Sequence, residues 1–169
     1  MSNQFESYRH KTRAVVFLMS AAIKSIYGSQ RTLIIDHSFG DGYFCILKEQ
    51  KGVSVDALSK IYKTMLQLQT ESKHIKIRAA KPEDWKHLLA PRVSTLRPPV
   101  LILANHISAS YEFTNLDLSA LPKFELMPYD RGFLLRIGEN GNDLIEYSDS
   151  PKLFGMMKEH ERWGRILKV

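Results

Sequence analysis

The stretch Thr32-Leu33-Ile34-Ile35-Asp36-His37-Ser38-Phe39-Gly40-Asp41-Gly42-Tyr43-Phe44-Cys45-Ile46-Leu47-Lys48 decides the fold. Two runs rich in β-branched and aromatic residues, Thr32 to His37 and Tyr43 to Lys48, flank Phe39-Gly40-Asp41-Gly42. The glycines allow the positive φ that a hairpin turn needs, so the stretch reads as two antiparallel strands.

Upstream, Tyr8, Thr12, Val15, Met19, Ile23 and Ile26 recur at steps of three and four. That spacing predicts a helix from about Ser7 to Tyr27, stopped by Gly28. Downstream, Ser54 is a candidate N-cap for a second helix whose buried stripe is Leu58, Ile61, Tyr62, Met65 and Leu68. A strand at His74 to Arg78 and a short helix from Pro82 to Leu89 follow. Pro91 to Pro99 reads as a loop. Strands are predicted at Val100 to Asn105, Ser110 to Phe113, Lys123 to Tyr129 and Gly132 to Ile137. Residues 138–149 read as a polar connection. Ser150-Pro151 then caps a last helix with Leu153, Met156, Met157, Trp163 and Leu167 on its apolar face. This order predicts an α+β fold with helices packed on an antiparallel sheet.

At 169 residues the chain is long enough to bury roughly two thirds of its unfolded surface in one domain. One cysteine excludes an internal disulfide and a cysteine-based zinc site, and it points to a reducing, cytoplasmic compartment. The longest apolar run, Ala14 to Ile23, is broken by Ser20 and falls short of the roughly 18–20 residues of a membrane span. The net charge of +6 is unevenly spread. Residues 1–35 carry about +4 and residues 73–97 about +5, against about −5 for residues 98–149. The basic stretches read either as solvated faces or, if they meet in space, as a patch attracting phosphates or RNA.

Several chemistries are constrained directly. None of the nine glycines precedes a lysine, so the chain holds no phosphate-binding P-loop of its own. The six histidines are scattered, with no i, i+4 pair to hold a metal on one helix face. A dispersed site from Asp36, His37 and His106 requires their strands to be neighbours. Asp36, His37 and Ser38 offer the three side-chain types of a hydrolytic triad. Neighbours on a strand point to opposite faces, however, which spoils triad geometry. The segment reads as the lip of a pocket or as capping of the turn. Cys45, between Phe44 and Ile46, sits in an apolar setting that raises a thiol pKa, and reads as inert.

Taken in order, these segments resemble the second additional domain of threonyl-tRNA synthetase, the editing domain shared with alanyl-tRNA synthetase. The helix end Ala21-Ala22-Ile23-Lys24-Ser25-Ile26-Tyr27-Gly28 is similar to that family's first editing helix. The Leu33 to Phe44 segment resembles its strand, Asp-Gly turn and strand. The helix from Val55 to Gln69 and the strand Lys76-Ile77-Arg78 follow in the family's order. A subgroup in which this domain precedes a uridine-kinase-like P-loop domain is more similar still. It is marked by segments like Phe124 to Tyr129 with Gly132 to Arg136, and like Pro151 to Phe154 with Glu161-Arg162-Trp163.

The resemblance implies an editing-like domain over residues 1–149 and a C-terminal helix over 150–169 leading toward a kinase domain downstream of Val169. It implies no cofactor for this chain, with ATP and magnesium expected only for the kinase part. The editing enzymes carry His-x-x-x-His on the first helix and Cys-x-x-x-His further on. Here Arg13 and Phe17 stand at the helix positions, and Ser110 to Asn115 holds neither Cys nor His. The resemblance thus implies a non-catalytic accessory domain of a nucleoside kinase. Its remnant cleft would be lined by Arg13, Phe17, Asp36, His37, Asp41, Tyr43 and His106, open to a small-molecule or RNA ligand. The alternatives are a tRNA-binding module and a trans-editing hydrolase acting on mischarged tRNA.

Overall fold

In a computed structural model of the chain, the described residues are 2–39, 42–48, 51–86, 99–104, 106–109 and 116–138. Residues 144, 147, 154–156, 158, 159 and 162 are described with them. Along these residues run α1 (Ser2–Tyr27), β1 (Thr32–Phe39), β2 (Gly42–Lys48), α2 (Val55–Glu71), β3 (His74–Ala79) and a 3-10 turn (Pro82–Lys86). They continue with β4 (Pro99–Leu103), β5 (His106–Ala109), β6 (Leu116–Asp117), β7 (Phe124–Tyr129) and β8 (Gly132–Ile137).

The strands form two antiparallel sheets of four, in the orders β1-β2-β8-β7 and β5-β4-β3-β6. The chain is therefore α+β, as its patterning predicts. Both helices and the inner faces of both sheets feed one core. Val15, Leu18, Met19 and Ala22 come from α1, and Leu58, Ile61, Met65 and Leu68 from α2. Cys45, Leu47, Phe133 and Leu135 come from the first sheet, and Ile75, Leu101 and Leu103 from the second.

Local signals set the helix ends. Gly28 takes φ +59°, and its N–H donates to the Lys24 carbonyl at 2.8 Å. The Ser54 hydroxyl accepts from Ala57 N–H at 3.1 Å, satisfying a donor that the first turn of α2 leaves unpaired. Gly42 works differently from expectation. It lies inside β2 without a positive φ, and a Cβ there would stand 1.9 Å from the Leu135 carbonyl oxygen. Glycine is required at Gly42 by the close approach of β8.

The first sheet is buried on both faces where β8 crosses it. Phe133, Leu135 and Ile137 face the main core. Leu134 turns the other way, joining Phe44 and Phe154. Phe154, from the C-terminal segment, meets the Phe44 ring at 5.2 Å and the Tyr129 ring at 4.8 Å, both edge-on. Lys158 follows over Phe154 at 4.8 Å and donates to Asp130 at 2.6 Å.

Two short strands, β5 and β6, were not legible beforehand. The predicted strand at Ser110 to Phe113, residues 139–143 of the predicted polar connection and most of the predicted final helix lie outside the described residues. So do residues 87–89 of the predicted short helix and most of the Pro91 to Pro99 loop.

Candidate functional site

α1 packs on β5 and β6 of the second sheet, and another of its sides turns toward Tyr43 of the first. At about 100° per residue, Tyr8 and Thr12 share one side, while Arg13, Phe17 and Lys24 share another well over 90° away. The sides meet different partners. Phe17 packs on His106 of β5, ring centroids 4.8 Å apart and tilted by 48°. Tyr8 turns toward Tyr43 of β2, where burial first, and the negative charge of an ionised Tyr8 second, push the Tyr43 phenol pKa up.

The Phe17 side carries the most distinctive chemistry. His106 is half-buried, and its pKa is lowered by burial first and by the Lys24 ammonium second. The imidazole is therefore neutral at pH 7. Arg13 lies one turn before Phe17 and Lys24 two turns beyond it. The stripe thus runs cation, aromatic ring with neutral imidazole, cation. Phe17 is buried in the main core, so of the two rings only the half-buried His106 imidazole can meet a ligand, with the Arg13 and Lys24 cations on the same helix side to favour an anion.

Asp36 and His37 lie elsewhere. The β1–β2 register slips between Ile35 and His37, so Asp36 is the extra residue of a bulge. His37 is left opposite Phe44, on the sheet face away from α1. The bulge brings His37 Nε2 to 3.6 Å from Asp36 Oδ2, although neighbours in regular strand would diverge. Arg131, at the turn between β7 and β8, reaches the same carboxylate at 3.7 Å. Ser38 pairs with Tyr43 on the opposite face, so a triad with Asp36 and His37 does not assemble.

The predicted cleft residues thus occupy three places. Arg13, Phe17 and His106 lie between α1 and the second sheet, and Tyr43 between α1 and the first sheet. Asp36 and His37 lie beyond the first sheet. Asp41 is outside the described residues. His37 and His106 are apart, and among the described residues no three His, Cys, Asp or Glu side chains group to hold a metal ion.

Cys45 is fully buried; burial pushes its thiol up to about 12, and Sγ lies 3.7 Å from the Tyr43 carbonyl. It is held protonated and enclosed, as its apolar neighbours predicted. Sequence reasoning missed Thr12 as a polar feature by placing it on the apolar stripe of α1. Its hydroxyl is buried without a hydrogen-bond partner.

A concavity of about 680 Å³ opens on the face of the second sheet turned from α1. Its lining includes His74, Lys76, Arg78, Ile102 and Asp117. It holds part of the basic stretch 73–97, yet two of its three basic side chains face carboxylates. Arg78 grips Asp84 through two bonds of 2.6 and 2.8 Å, and His74 stands 3.8 Å from Asp117. Asp84 is 4% exposed, and the Arg78 guanidinium with the Lys81 N–H holds its carboxyl down at about 2. This pairing reduces the positive potential that the sequence suggested.

Among the described residues no helix is long and apolar enough to cross a membrane. Compared with protein-family models and with curated proteins, the chain matches none.

Proposed function

We propose that this chain is a non-catalytic ligand-binding module on an editing-domain-like scaffold, serving a uridine-kinase-like nucleoside kinase on the same polypeptide in the cytoplasm. The observation that carries the reading is the stripe Arg13–Phe17–Lys24 with His106 packed on Phe17. It stands at the helix positions where the resembling enzymes hold two histidines. Arginine and phenylalanine cannot relay a proton to a water at neutral pH, because one is permanently charged and the other has no titratable group. Arginine can bind an anion, and the half-buried His106 ring on the same side can stack on a flat one. The ligand class that follows is a nucleotide or a comparably flat, anionic metabolite. ATP and magnesium belong to the kinase part.

Two outcomes test the reading. The reading frame past Val169 should encode Gly-x-x-x-x-Gly-Lys-Ser/Thr, the phosphate-cradling loop. The chain should leave mischarged tRNA intact in a deacylation assay. Hydrolysis that is lost in His106→Ala would instead make it a trans-editing enzyme.

A further inference from the structure

Among the described residues, β1 pairs on one side only, since the first sheet ends there. Ile34 and Ile35 are each 39% exposed on this edge. They point to opposite faces, Ile34 paired with Ile46 and Ile35 with Cys45. Natural sheets guard an edge with lysine, proline, a bulge or a very short strand, because its free N–H and C=O groups template further pairing. Thr32 to Ile35 carries neither lysine nor proline, and the bulge comes only afterwards, at Asp36.

We propose that a second copy of this chain pairs antiparallel along β1, joining two four-stranded sheets into one across a two-fold axis at Ile34. Two features select a copy of the same chain. An axis at Ile34 sets Ile34 against Ile34 on one face and Leu33 against Ile35 on the other, so apolar meets apolar at the centre of the seam, with Thr32 against Asp36 at its ends. The charges also lie at opposite ends of the strand, Arg31 before it and Asp36 within it. An antiparallel copy brings each Arg31 toward the other's Asp36, whereas a parallel copy aligns like charges. The bulge at Asp36 ends the seam, so the pairing is short. Its area falls below the 1,200 Å² or so of a standard interface, and the dimer is concentration-dependent. The inference rests on the fold and stands apart from the ligand reading above.

Sedimentation velocity of the 169-residue chain from about 10 µM to about 1 mM tests it. A dimer fraction rising with concentration is expected. Ile34→Lys places two ammonium groups opposite each other and should hold the chain monomeric with an unchanged melting curve. Directly opposed strand residues also sit close enough for a disulfide. An Ile34→Cys variant should therefore oxidise to a covalent dimer faster than Leu66→Cys, a similarly exposed position (40%) on α2. Should Ile34→Lys fail to fold, this cross-linking comparison decides alone. A monomer at every concentration, a dimer indifferent to Ile34→Lys, or equal cross-linking rates would each overturn the proposal.

Discussion

Thr12 shows how one atom departs from the pattern around it. Its Oγ1 is buried on a stripe shared with Val15 and Met19, and it has no hydrogen-bond partner. An unsatisfied buried hydroxyl costs about 1–3 kcal/mol, so Thr12→Val should raise the free energy of unfolding by about 1 kcal/mol in urea titrations. A loss of stability would mean that the hydroxyl is satisfied in solution. His106 gives a pH signature at the same scale. Its folded pKa lies below the usual value near 6.5, so the unfolded chain takes the proton first. The stability it contributes is complete above pH 6.5 or so, and is lost as pH falls through that value toward the folded pKa. The slope is at most about 1.4 kcal/mol per pH unit. Asp84, Asp117 and Asp130, whose pKa values are lowered, contribute their loss only below the usual carboxylate range. Unfolding curves between about pH 7.5 and 5, compared between the chain and His106→Gln, therefore report this histidine, and the substitution should make the dependence in that window shallower.

The elements divide by how local their causes are. The Ser54 cap, the Gly28 stop and the α2 stripe are written within a few neighbouring residues, and they were legible. β5 and β6 are four and two residues long, too short to show a period, and they exist because β4 and β3 offer edges. The bulge at Asp36 depends on β2 and could not be read from β1. Gly42 belongs to the same class, since its neighbour Leu135 is distant in sequence. Gly42→Ala drives a methyl into the β8 backbone and should cost about 3 kcal/mol or more in unfolding free energy, with loss of cooperativity if β2 and β8 part. An unchanged melting curve would show that the strands separate cheaply. The candidate site was legible in part for the same reason: Arg13 and Phe17 share a helix face by spacing alone. Which strand each residue meets depends on how α1 packs on the second sheet.

For the whole molecule, one core joins α1 and α2 to both sheets, and the proposed ligand site lies where α1 crosses β5. In the proposed reading the Arg13 and Lys24 cations and the half-buried His106 ring hold a ligand without reacting with it. Nucleotide should therefore bind without being consumed. Isothermal titration of the 169-residue chain with ATP, UTP and inorganic phosphate measures this most directly. The account predicts saturable heat with a nucleotide at a Kd below about 1 mM, weaker or no heat with phosphate alone, and at least about tenfold weaker binding in Arg13→Ala and His106→Ala. No heat with any of the three, or binding unaltered by both substitutions, would contradict it.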